Sequence, residues 1–160
     1  MNFSNAMVLK RAETEQEIEA VRTLWAEYWG TLGLPLTFQG FGEQLRTLPG
    51  ELVLILAMQD REPAGTVALR ALRSGVCELK RLYVPVRFRG HGLGRMLLQE
   101  TIRVAREMGY AEMYCDTLES MREAARLYDS AGFERVAPYS DDPTPGAIYF
   151  RLVLGKHGKA

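Results

Sequence analysis

The run Arg87-Phe88-Arg89-Gly90-His91-Gly92-Leu93-Gly94-Arg95 sets glycines among basic side chains. Ahead of it, Glu78 to Val84 reads as a strand that stops at Pro85. Behind it, Leu93, Leu97 and Leu98 open an amphipathic helix. A glycine loop between a strand end and a helix start suits an anionic ligand. The first helical turn carries N–H groups without an intrahelical acceptor, and the macrodipole adds partial positive charge there. Glycine also lets a phosphate reach the backbone with no Cβ in the way. Two phosphate-binding patterns can be tested directly. A G-x-G-x-x-G loop counted from Gly90 needs a third glycine where this chain has Arg95. A P-loop needs Gly-Lys-Ser/Thr where it has Arg95-Met96-Leu97. Neither fits, and Arg89-x-x-Gly92-x-Gly94 on a strand–loop–helix frame remains.

Composition narrows the class of function. The 160 residues suit one domain, residues 1–160, with a sizeable core. Lys and Arg number 20 and so do Asp and Glu, so the chain lacks the basic excess that a nucleic-acid partner favours. The cations around Gly90 are a local cluster, as a phosphate site requires. No apolar run is long enough for a membrane span, and the N-terminus has no apolar signal core. Cys77 and Cys115 fall in predicted strands without metal-ligand spacing. That is the pattern of reduced, half-buried thiols in a cytoplasmic protein, and no metal site is expected.

The elements that must position the loop follow from periodicity. Met7–Arg11 is a short first strand. Thr14-Glu15-Gln16-Glu17 is a capping box, and Ile18, Val21, Leu24, Trp25, Tyr28 and Leu32 recur at helical spacing up to Gly33 and Pro35. Phe41, Leu45 and Leu48 predict a shorter helix stopped by Pro49-Gly50. Strands are expected over Glu51–Gln59, Gly65–Leu72 and Val76–Val84, with turns at Asp60–Pro63 and Ser74-Gly75. After the helix that starts at Gly92 and stops near Gly109, Ala111–Thr117 reads as a strand. Ser120 begins a helix closed by Gly132, and Phe133–Tyr139 and Ala147–Leu154 are the last strands. Ser140–Gly146 is a turn-rich loop, and Lys156–Ala160 is expected to fray.

With its preceding strand, Arg89-x-x-Gly92-x-Gly94 resembles motif A of the GNAT superfamily, the acyl-CoA-dependent N-acetyltransferases. Met121-x-x-Ala124-x-x-Leu127-Tyr128-x-x-x-Gly132-Phe133 resembles its second signature, N-x-x-A-x-x-L-Y-x-x-x-G-F. The element order β-α-α-β-β-β-α-β-α-β-β is also that of the superfamily. The resemblance is strongest from Glu78 to Leu154, and the first fifty residues match in element order only. It implies an α/β (α+β) fold whose mixed central sheet is splayed between its fourth and fifth strands, with helices on both faces. It implies acetyl-CoA as cosubstrate, in the cleft where Val76–Val84 and Ala111–Thr117 part. The backbone of Leu82, Tyr83 and Val84 would pair with the pantetheine amides as with a peptide strand. The N–H groups of Arg89, Gly90, His91, Gly92, Leu93, Gly94 and Arg95 would hold the pyrophosphate. Met121 stands where the superfamily often has an Asn that contacts the cofactor, and Ser120 is the candidate to substitute.

The same resemblance assigns roles in acetyl transfer. A thiolate leaving group has a parent pKa of about 8.5 and a tyrosine about 10, so a tyrosine can pass a proton or a hydrogen bond to the sulfur. Tyr128 matches that position. Glu78 matches a glutamate used as base in part of the superfamily, directly or through water, while other members rely on ordered water alone. Alternation sets Glu78, Lys80 and Leu82 on one face of the strand, with Lys80 as the expected charge partner of Glu78. For the acceptor, Trp25 and Tyr28 fit the first helix's apolar stripe and are expected in the core. Trp29, Phe38 and Tyr139 fit no stripe as well and are expected on a pocket wall, with Lys80 and Arg81 placed to receive a carboxylate. These features point to a small amine, an amino acid or related metabolite. A protein or peptide amine is the alternative acceptor, and a non-catalytic acyl-CoA-binding module is the alternative class. Homodimers are common in the superfamily.

Overall fold

Thr14 caps the first helix in both directions. Its hydroxyl accepts from the N–H of Glu17 at 3.1 Å, and the Glu17 carboxylate accepts the Thr14 N–H at 3.0 Å. The helix so started, α1 (Glu15–Leu32), ends at Gly33 in the left-handed region, φ 64°. The computed structural model describes residues 7–33, 35–37, 40–140 and 143–155. The further helices are α2 (Phe41–Arg46), α3 (Leu93–Glu107) and α4 (Arg122–Ser130). The strands are β1 (Met7–Arg11), β2 (Val53–Gln59), β3 (Glu62–Arg73), β4 (Val76–Tyr83), β5 (Glu112–Leu118), β6 (Glu134–Val136) and β7 (Ala147–Val153). They form one mixed sheet in the order β1-β2-β3-β4-β5-β7-β6, with β4 parallel to β5.

Among the boundaries that differ from the sequence expectation, three concern the segments around the site. The β2–β3 turn is Asp60-Arg61 alone, with φ 50° and 71°, because two consecutive positive φ values match the twist of a tight hairpin. Strand β6 stops at Val136 and does not reach Tyr139, since Pro138 has no N–H to give a ladder. Helix α4 is capped by Met121 without a side-chain bond, and Ser120 lies outside it.

The chain divides into two compact units, one of residues up to Leu69 with Arg81–Thr101, the other of Arg70–Lys80 with residues from Ile102 onward. In the first, Val21, Leu24, Trp25 and Trp29 of α1 and Phe41 of α2 pack on Leu54 and Leu56 of β2, Ala68 of β3 and Tyr83 of β4. Gly65 lets this unit close. A Cβ there would lie 2.8 Å from Leu97 Cδ1 and 3.2 Å from the Tyr83 carbonyl, so only glycine leaves room for α3 and the end of β4. In the second unit the β4–β5 ladder holds three pairs, Val76–Glu78 with Glu112–Tyr114. Strand β5 stays paired with β7 as far as Leu118. Helix α4 covers that ladder, with Tyr128 against Phe133 and Phe150 at ring-centroid distances of 5.4 and 5.2 Å.

Candidate active site

In the first unit the site is made of backbone. Pro85 begins a 3-10 turn, Val86–Phe88, absent from the sequence reading, in which Phe88 is buried and anchors the loop. The Arg89 guanidinium folds back and donates from Nε to the Val84 carbonyl at 2.7 Å, tying the loop to the strand end. Gly90 and Gly92 take φ 90° and 77°, values that L side chains rarely adopt, and a Cβ on either would meet nothing within 4 Å. These glycines serve the backbone path, and the space over them is open. The Met96 N–H donates to the Gly92 carbonyl at 3.0 Å, so Leu93, Gly94 and Arg95 precede the intrahelical ladder. The strand end is set by its middle residue. Tyr83 is buried and its hydroxyl donates to Glu27 Oε2 at 2.7 Å. Burial, then Glu27, pushes this phenol up to about 12.

Just before that strand end β4 turns through an unusual residue. Arg81 has φ 60°, a left-handed conformation costly for a non-glycine residue. Its guanidinium lies over the rings of Trp29, Phe41 and Trp25 at 4.8, 5.2 and 5.6 Å, and Nη2 donates to Gln44 Oε1 at 3.1 Å. Cation–π attraction to buried rings offsets the strain and fixes the strand where it bends.

The second unit carries a cluster of side chains. Glu78 is 4% exposed. Its Oε1 accepts from Arg70 Nε at 2.6 Å and its Oε2 from the Tyr139 hydroxyl at 2.7 Å. The Tyr139 ring stands edge-on to Tyr114 and Tyr149, at 4.9 and 5.2 Å. Burial foremost, then the Glu78 charge and hydrogen bond, holds the Tyr139 phenol far above its ordinary range, so it stays a proton donor. The Cys115 thiol, fully buried, is pushed well up by burial and by Asp116 and Glu78, against a hydrogen bond from Tyr128. Cys115 therefore stands next to Tyr128 and within electrostatic reach of Glu78 and Tyr139. Chemically the cluster offers a buried carboxylate with an arginine and a phenol upon it, and a second phenol beside a neutral thiol.

The structure thus brings Glu78 and Tyr139 into direct contact, and Tyr128 to the Cys115 thiol. Trp29 is corrected. It is 3% exposed, stacks on Phe41 at 4.0 Å, and its indole N–H donates to the Pro35 carbonyl at 3.0 Å, so it belongs to the core and not to a pocket wall. It lies four residues after Trp25 on the same helix face, a spacing that the sequence already showed. Arg81 is corrected likewise, from a cleft cation to a caged one. The ion pair of Glu78 is with Arg70, and Lys80 is half-buried on β4. Phe38 lies outside the described residues. Sequence reasoning missed Arg70, though its charge, just across the Ser74-Gly75 hairpin from Glu78, was a usable signal. It also missed Cys115 as a neighbour of Tyr128, for which no local signal exists. No described helix is long and apolar enough to cross a membrane.

Comparison with known proteins adds a separate line of observation. A sequence model of the Acetyltransferase (GNAT) family matches residues 15–133. An uncharacterised N-acetyltransferase of Schizosaccharomyces pombe is 35% identical over 148 residues, which covers 88% of this chain and 91% of its own. N-acetylaspartate synthetase of Danio rerio is 34% identical over 99 residues, 62% of this chain and 32% of its own. The crystal structure of the ribosomal-protein-S18-alanine N-acetyltransferase of Escherichia coli superposes with a TM-score of 0.73 at 20% identity, covering 96% of this chain and 97% of that one. At that identity the likeness speaks for the fold.

Proposed function

The chain belongs to the GNAT family of N-acetyltransferases, and from that premise we propose that it moves the acetyl group of acetyl-CoA to a primary amine of a small molecule, an amino acid or related metabolite. The observation that carries the cosubstrate is the Arg89–Arg95 loop, with its two left-handed glycines and a helix start whose first N–H groups precede the ladder. That backbone fits a pyrophosphate by charge and by shape. Residues Leu82, Tyr83 and Val84 are the strand edge for the pantetheine amides, and Ser120 takes the polar contact left by Met121. The family match crosses both compact units, which supports reading residues 1–160 as one catalytic domain. The protein works in the cytoplasm, with its two buried cysteines reduced, and needs no nucleic acid, membrane or metal. A homodimer is the expected assembly.

In the reaction the acceptor amine must lose a proton, and the departing thiolate must gain one. Glu78 is the ultimate proton acceptor. Tyr128 gives its proton or a hydrogen bond to the sulfur, and it is well suited because its ring is fixed between Phe133 and Phe150. The small acceptor is favoured by the compact, aromatic surroundings of Glu78, made by Tyr114, Tyr139 and Tyr149, with Lys80 on the same strand for a carboxylate. The Danio rerio relative, named for N-acetylaspartate, agrees with a free amino acid. A protein amine is the second reading, favoured by the structural likeness to an enzyme named for a ribosomal-protein alanine. Thiol release from acetyl-CoA with free amino acids, polyamines and peptides separates them. Turnover is expected with a small amine. Preferred acetylation of a peptide, with small amines at background, would reverse the assignment.

A further inference from the structure

Glu78 is a poor first contact for an acceptor. It is 4% exposed, and each oxygen already receives a short hydrogen bond, 2.6 Å from Arg70 Nε and 2.7 Å from the Tyr139 hydroxyl. Tyr139 is the more exposed of the two partners in that contact. Its phenol is a neutral donor in a setting that disfavours a tyrosinate, since burial foremost, and then the Glu78 and Asp116 carboxylates, oppose its ionisation. The charged and titratable groups around the pair include Arg70 from β3, Tyr114, Cys115 and Asp116 from β5, and Tyr149 from β7.

Resting on the acetyltransferase reading above, we propose that Tyr139 is a catalytic residue that meets the acceptor ammonium and relays its proton to Glu78. One N–H bond of the ammonium breaks as a bond forms from that proton to the Tyr139 oxygen. In the same event the original Tyr139 O–H breaks and its proton joins Glu78 Oε2. The amine keeps the electron pair it needs for attack. Tyrosine begins and ends neutral, and Glu78 ends as a neutral acid. Arg70 stays on Oε1 and holds the carboxylate in line with the phenol. A two-proton relay avoids the tyrosinate that burial forbids, and it explains how a carboxylate so enclosed can act as a base.

The test is a double-mutant cycle together with a proton inventory. Tyr139→Phe keeps the ring and its edge-on contacts, and Glu78→Gln keeps the shape of the carboxylate. Each is expected to lower kcat about 10²-fold with the KM for acetyl-CoA within about twofold, and the double variant is expected to be no slower than the worse single variant, because both act in one event. Single-turnover rates of the wild type in mixtures of light and heavy water should give a curved inventory, as two moving protons require, and this needs no variant. The relay is overturned by a Tyr139→Phe enzyme of near-normal rate, by losses that multiply in the double variant, or by a linear inventory. A wild type that releases thiol with no amine overturns the proposed function and the relay together. An active wild type with any of the first three results overturns the relay alone.

Discussion

Arg89 reaches five residues back to find Val84, whereas Tyr139 reaches 61 residues back to find Glu78. The loop and the carboxylate cluster differ in this way. From Arg89 to Met96 the chain is tied by short-range bonds, Arg89 to Val84 and the Met96 N–H to Gly92, and the groups proposed to meet a ligand are backbone N–H groups. In the cluster, Arg70 comes from β3, Glu78 from β4, Cys115 from β5, Tyr128 from α4 and Tyr139 from the segment after β6. Its groups are side-chain atoms whose meeting depends on sheet register. A backbone site tolerates many side chains and is sensitive to whatever blocks the backbone. A side-chain site fails when one atom is removed. In the proposed function, binding belongs to the first kind and proton transfer to the second.

The largest effect should come from deleting one atom in the cluster. Tyr128→Phe keeps a ring that packs between Phe133 and Phe150, so the fold should survive. Its kcat is expected to fall roughly 10²–10⁴-fold, with the KM for acetyl-CoA little changed. Steady-state kinetics checks this, and near-normal turnover would reduce Tyr128 to a packing residue. The smallest effect should come from removing a whole side chain in the loop. His91 is exposed, and only its N–H is proposed to matter. His91→Ala is expected to leave CoA affinity within about twofold, since the backbone path is set by Gly90 and Gly92. A tenfold loss, read by calorimetry, would show that the loop also binds through side chains and would blur the contrast.

The same contrast accounts for what the sequence could disclose. The Thr14 capping box, the glycine stop at Gly33 and the strand–loop–helix around Gly92 are short-range patterns, and each formed where its residues predicted. The order of elements followed from periodicity for the same reason. Partnerships across the sheet were beyond such patterns. Lys80 is nearer to Glu78 in sequence than Arg70 is, yet the hairpin gives the carboxylate to Arg70. Tyr139 was expected beside an acceptor by elimination, and its bond to Glu78 needed the path of the chain after β6. Arg81 shows the limit most plainly. Nothing near it in sequence announces a left-handed residue inside a strand, because what holds it there is a cage of rings from α1 and α2.

The central claim is that the backbone from Arg89 to Arg95 is the acetyl-CoA site, and titration calorimetry of CoA into Gly92→Asp tests it most directly. Gly92 has open space where a Cβ would go, so the substitution strains φ at modest cost without a clash inside the protein. Gly92→Asn serves as a control with the same shape and no charge, and circular dichroism checks that both variants fold. The wild type is expected to bind CoA, and the aspartate to weaken it by about 10²-fold or more through steric block and repulsion of the pyrophosphate, beyond the loss seen with asparagine. Wild-type affinity in a folded Gly92→Asp protein would contradict the account.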